Sequence, residues 1–431
     1  MNVVIIYVIS VAGVVLAVAG TWYARWSGGP TVREERRERS RERFRAVRRW
    51  MREQANERQT AAAARREHAD LLAPSPMNLF IARPEWVLSE PLDLDRLTVK
   101  LEDHDDVPRV GQERYEPLRR YWPLGADDKP VARYHEAVTQ FDTPPGIWFN
   151  APSYRLLGIE RRADGGFELR VGTTTYWEGY DSWSGLQFEA AHQLRESDGT
   201  TLAGPYRRSL GSPFALDNRD CAIGISVLTV CRTGKGPLFY LQHRAAAQVA
   251  TMGGMAGLTP AGEFQPSSAA YSAIHSDADV WRCIMREFAE EFLGRPDLNE
   301  QRAALVDYER ESPFRELERA RRIGGVRPYI LDIGFDPVTW KAGIRLVCIF
   351  DEDTYLDIFR GMHAGTDEGR LEVSSLVRAG DELLEGRPFD EETVRRYLKA
   401  PTLTAGARLC LGLAWEHRET LGLAGRPESA D

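Results

Sequence analysis

Glu287, Glu290 and Glu291 stand at positions i, i+3 and i+4 in the run Arg286-Glu287-Phe288-Ala289-Glu290-Glu291. A helix advances about 100° per residue, so the three carboxylates would share one face. Like charges held that close on an exposed helix repel by about 0.2–0.5 kcal/mol per pair. A hard divalent cation would relieve the repulsion, and oxygen-only ligand clusters suit Mg²⁺ or Mn²⁺. The competing reading is a solvated acidic face, the usual meaning of an isolated Glu-Glu pair. The elements upstream separate the two.

Two strand-like segments come first. Gly224-Ile225-Ser226-Val227-Leu228-Thr229-Val230 is rich in β-branched residues, and Pro237 to Arg244 follows across the turn signal Thr233-Gly234-Lys235-Gly236. A Gly/Pro-rich loop from Gly253 to Pro266 then leads toward the acidic helix. This order of strand, strand, glycine-rich loop and acidic helix resembles the Nudix hydrolase superfamily, whose box runs G-x5-E-x7-R-E-U-x-E-E-x-G-U, with U a bulky apolar residue. Gly262 takes the place of the box glycine, and Arg286, Glu287, Phe288, Glu290 and Glu291 match the helix half position for position.

The loop half departs from that pattern. Ser268 stands where the family has a glutamate, seventeen residues (Ala269 to Met285) separate it from the Arg-Glu pair instead of seven, and the closing glycine comes one place late, at Gly294. A longer resemblance covers about Asn150 to Gly422. Pro260 to Ser268, Trp281, the box helix, Pro152 to Leu157 and Gly172 to Tyr176 are similar to a Nudix-like region found behind the helix-turn-helix of certain bacterial regulators. The box implies a catalyst; the regulator likeness implies a ligand-reading module as readily.

If the family chemistry holds, metal ions neutralise the phosphates of a nucleoside-diphosphate-linked compound and lower the pKa of the attacking water. The resemblance makes Glu287, Glu290 and Glu291 ligands for Mg²⁺ (or Mn²⁺). It makes Arg286 the group that orients one carboxylate, through the paired N–H bonds of a guanidinium. Glu287, Glu290 and Arg286 are then the expected catalytic set. The base is a helix glutamate or one of Glu309, Glu311, Asp351, Glu352 and Asp353, among which nothing in the sequence chooses. Glu263 could supplement the site from the loop, and His275, Asp277 and Asp279 of the insertion read as an exposed loop. Three functions stay open: a Mg²⁺-dependent hydrolase, a catalytically inactive Nudix-like domain that senses a nucleotide-derived small molecule, and a scaffold.

Composition narrows the setting. The chain has 431 residues and a net charge of −8, yet Ala24 to His68 alone holds fourteen Arg and seven Glu. The remainder is strongly acidic, which argues against nucleic acid as a partner. Five cysteines form no C-x-x-C and sit mostly in apolar runs, as buried thiols do. Val3 to Tyr23 carries no charge over 21 residues, enough for a helix to cross a bilayer. All flanking positive charge follows it from Arg25, so the positive-inside rule predicts a single-pass anchor with the N-terminus outside and the body cytoplasmic at the cell membrane.

The expected organisation is therefore a transmembrane anchor (1–26), a charged helical stalk (31–72), a β-rich part of the body (77–215) and a Nudix-like domain (216–424). The fold class is α/β, a mixed β-sheet sandwiched by helices behind the anchor and stalk. Phe44, Val47, Trp50 and Met51 form a narrow apolar stripe on the stalk, through which chains could pair or beside which its arginines could meet anionic lipid. Tyr154 to Ile159 and Phe167 to Thr175 read as a hairpin across Ala163-Asp164-Gly165-Gly166. Trp177, Tyr180, Trp183 and Phe188 read as core, with a base-stacking wall as the alternative. Arg327 to Phe335 and Arg345 to Asp351 predict two more strands, and Pro401 to Leu421 a final helix.

Overall fold

The computed structural model describes residues 31–74, 77–102, 110–143, 149–196, 201–244, 255–295, 305–359, 365–366, 369–371, 375–379 and 382–424. The chain opens with α1 (Val32–Arg52) and α2 (Gln54–Glu67), followed by β1 (Leu92–Asp93), β2 (Leu97–Leu101), α3 (Tyr134–Phe141), the hairpin β3 (Pro152–Arg161) and β4 (Phe167–Thr175), α4 (Tyr176–Glu196) and α5 (Pro205–Leu210). Next come β5 (Ile223–Thr233), β6 (Gly236–Phe239), β7 (Gln242–Arg244), β8 (Ala256–Gly257), β9 (Ala261–Glu263), α6 (Tyr271–Ser276) and α7 (Val280–Glu291), the box helix. After it lie α8 (Phe314–Arg322), β10 (Val326–Phe335), β11 (Ala342–Asp351) and α9 (Glu352–Phe359). Short strands β12 (Gly365–Thr366), β13 (Gly369–Leu371), β14 (Ser375–Ala379) and β15 (Glu382–Pro388) precede α10 (Glu391–Lys399) and α11 (Ala405–Glu416).

The central sheet is mixed, in the order β1-β10-β11-β5-β6-β15-β14, with β9 also paired to β5. Strand β5 runs parallel to β11 and antiparallel to β6 and β9. Both of its faces are apolar, as a strand covered on two sides requires. Ile223, Ile225, Val227 and Cys231 pack in the cluster that holds α7, while Leu228 and Val230 pack with α11. Strand β11 divides the same way, Ile344, Leu346, Cys348 and Phe350 toward α7, Val347 and Ile349 toward α11. Helices thus cover both faces, the layered arrangement expected.

A second sheet, β2-β4-β3, carries the predicted hairpin, with β4 antiparallel to β3 and parallel to β2. It is tied to the first by Tyr154 N–H donating to Phe264 O at 3.2 Å and Leu156 N–H to Cys221 O at 2.8 Å. One apolar cluster runs from Phe44 through α4 to Phe359, so residues 77–215 and 216–424 share a core. Tyr180, Trp183 and Phe188 lie in it, on α4. Phe188 stacks on Phe44 with ring centroids 5.2 Å apart, so these three are core, whereas Trp177 is half-buried and stacks on His135 at 4.6 Å.

Two expectations need correction. Among the described residues no helix is long and apolar enough to cross a membrane. The described residues form a mixed α/β body with no such helix among them, so the single-pass membrane location has no support there; the run Val3 to Tyr23, where the anchor was expected, lies outside the described residues. Nor is α1 a solvated stalk. A capping box sets its start, with Glu34 N donating to Thr31 Oγ1 at 3.2 Å and Thr31 N to Glu34 Oε2 at 2.5 Å. Its stripe is then buried inside the molecule, where Phe44 and Val47 are 1% and 2% exposed. Arg48 is buried beside them, donating to Tyr134 Oη at 2.7 Å and to Asp142.

Candidate functional site

Helix α7 starts where Asp279 Oδ1 accepts the Arg282 N–H at 2.9 Å, an N-cap. Its buried side is Trp281, Ile284, Met285 and Phe288 against β5 and β11. That packing fixes which way each box glutamate faces. Glu287 and Glu290 are half-buried, whereas Glu291 is only 2% exposed.

The Glu291 carboxylate is engaged by the loop before β9. Oε2 accepts from Thr259 Oγ1 at 2.6 Å and Oε1 from Ala261 N at 2.9 Å. Glu287 leans on the box glycine: a Cβ on Gly262 would lie 2.0 Å from its Oε1. A side chain at 262 would displace the Glu287 carboxylate from this position. Among the described residues, no group of three or more His, Cys, Asp or Glu side chains converges as a metal-holding set. Among the described residues Glu287, Glu290 and Glu291 are thus not gathered as a metal-holding set, and the Glu291 carboxylate closes a loop.

Arg286 is also placed differently. Its guanidinium, 4% exposed, lies 3.5 Å from Asp277 Oδ2 and donates to Tyr308 Oη and Gln265 O. Tyr308 donates in turn to Asp277 Oδ1 at 3.0 Å. Burial pushes the Tyr308 phenol above its usual range, which keeps it a donor. Asp277 Oδ2 also accepts the Ser267 N–H at 2.8 Å. The insertion thus brings a carboxylate to Arg286 beside Ser268, the position where the resemblance lacks one. Of the three insertion residues read as exposed loop, His275 and Asp279 are exposed and Asp277 is buried to 1%.

The candidate bases do not gather on the box helix. Asp351 pairs in register with Arg232, Gly262 with Ile225. Seven residues of strand separate those points, about 23 Å at 3.3 Å per residue. Asp351 is held by Arg232 and lies 3.5 Å from Arg327, and Glu352 Oε2 accepts the Gly234 N–H at 2.9 Å, both at that far end. Asp353 and Glu309 are exposed, and Glu311 Oε1 accepts the Asp307 N–H at 2.9 Å. Glu263, which could have supplemented the site, pairs with Lys341, whose Nζ also lies 5.1 Å from the centre of the Trp183 ring. The five cysteines are free and buried, and burial pushes the Cys283 thiol up to about 12, so none offers a nucleophile.

No family model matches the chain, and no curated protein matches it in sequence. Sequence reasoning missed Asp277, Tyr308 and Thr259. Thr259 and Tyr308 act because the fold brings them to box residues 32 and 22 positions away, and Asp277 because the insertion folds back onto Arg286. The unused signal was the combination of a missing loop carboxylate with an insertion that carries one.

Proposed function

We propose that this chain is a catalytically inactive Nudix-like module that binds a nucleotide-derived small molecule, in preference to a Mg²⁺-dependent hydrolase. The observation that carries this reading is the engagement of Glu291 by Thr259 and Ala261. A hydrolase of this type needs its helix carboxylates turned toward a common cation. Here one closes the loop, and Arg286, the group that would steer another, is taken up by Asp277 and Tyr308. The residue types of the box serve the fold. The resemblance to regulator modules supplies the ligand class.

The test is calorimetry and product analysis on the same samples. ADP-ribose and nucleoside-diphosphate sugars should bind and be recovered intact after long incubation with Mg²⁺ or Mn²⁺. Metal-dependent turnover that disappears in Glu287→Gln or Glu290→Gln would restore the hydrolase. Absence of both binding and turnover across the panel would remove the ligand reading.

A further inference from the structure

Away from the box, His68 ends α2 and is buried to 9% exposure. Its Nε2 accepts from Trp340 Nε1 at 3.2 Å and lies 3.5 Å from Nη1 of Arg207. Two donors aimed at one ring nitrogen require it to be the unprotonated one, which leaves the hydrogen on Nδ1. The donors are themselves held. Trp340 sits at φ +53°, a region a bulky residue rarely occupies. Its N–H donates to Asp336 O at 2.8 Å and its carbonyl accepts from Arg219 Nη2 at 3.0 Å. The Arg207 guanidinium lies 4.7 Å from the centre of the Trp340 indole and donates to Val338 O and, at 3.4 Å, to Pro337 O.

What else docks α2 is thin. Ala63 and Ala64 meet Ala190, Leu194, Leu202 and Val338 in a small cluster of their own. Methyl groups bury little area, and a helix so attached belongs to the class of segments that open locally at low cost.

We propose that His68 is an acid-released latch: a proton on Nε2 faces the Trp340 and Arg207 donors head-on, breaks both contacts and frees α2 from the turn between β10 and β11. The charges around it are few. Glu67 of the same helix favours the proton, but its carboxylate is tied to Leu202 N at 2.9 Å. Arg207, from α5, opposes it and is itself faced by Glu67, Glu189, Asp336 and Arg219. Burial first, and Arg207 second, hold the His68 pKa down at about 4, against 6.5 for an ordinary histidine. The unlatched form therefore takes up the proton more readily. The latch is intact above pH 6.5, and its opening grows about tenfold for each pH unit from there down to about 4.

Hydrogen–deuterium exchange of the full chain between pH 7.5 and 5.0, corrected for intrinsic rates, tests this. Peptides covering 54–74 should lose at least tenfold protection while peptides from β5 and β11 keep theirs. His68→Gln retains an acceptor but cannot titrate, so its protection over 54–74 should stay constant with pH. Equal loss in wild type and His68→Gln, or no loss in the wild type, overturns the latch. Should the variant not fold, the His68 ring followed by NMR in the wild type decides: titration near 4 supports the proposal, and titration at 6 or above overturns it.

Discussion

At the residue scale, two glutamates four positions apart on one helix have different roles. Glu291 accepts two hydrogen bonds in a buried setting, so Glu291→Ala leaves Thr259 Oγ1 and Ala261 N without their acceptor. The expected cost is about 1–3 kcal/mol in urea unfolding. Glu287→Gln, at a half-buried site, should change stability by about 0.5 kcal/mol or less. Equal costs would contradict the division of labour drawn here. Asp277→Asn should be worse than either, about 3–5 kcal/mol, because it strands the Arg286 cation in the interior. The identity of Arg286, Glu287, Glu290 and Glu291 as a set was legible in the sequence, and so was their sharing of a helix. Their partners were not. A carboxylate shows its spacing in the chain but not the donor it meets, and that donor decides whether it binds a metal or closes a loop.

At the element scale, the β-strands were the most readable part. Strands β5, β10 and β11 alternate or run apolar in the way that burial demands, and the β3–β4 turn carries its own Asp-Gly signal. Helix α1 was misread for a physical reason. Its many Arg and Glu residues give the composition of a solvated helix, yet Phe44 and Val47 are buried in the core, where Phe44 meets Trp122, Tyr134 and Phe188, and Arg48 docks on Tyr134 beside them. Phe44→Ala should therefore cost about 3–5 kcal/mol, as in any well-packed core, measured by thermal or urea unfolding. A free-standing stalk would show almost no change. Gly334 offers a second check on packing: a Cβ there would lie 2.7 Å from Ile81 O, against a backbone that cannot step aside. Gly334→Ala should detach residues 77–82 from β10 and lower the melting temperature.

At the scale of the whole molecule, the shared core predicts a single cooperative transition, because Phe44, α4 and the central sheet cannot lose contact separately. A fragment covering 216–431 should not fold alone; a dispersed NMR spectrum from it would show that the two halves are independent after all. The parallel pairing of β5 with β11 carries a different consequence. Its register partners are 119 positions apart, Arg232 with Asp351 among them. During synthesis at about 5–20 residues per second, β5 leaves the ribosome roughly 6–24 seconds before its neighbour is complete. For that interval the central strand, apolar on both sides, has one open edge and two open faces. The hairpin to β6 and the return of β9 close its other edge from within the next thirty or so residues, as their pairings with Thr233 and Gly224 make plain. The nascent chain is left with a half-built sheet exposing a row of unpaired amides and carbonyls, a template for the same strand of a neighbouring nascent chain. A helper that shields hydrophobic strands during translation should therefore raise the soluble yield of this protein far more than it raises the refolding yield of the finished chain at high dilution.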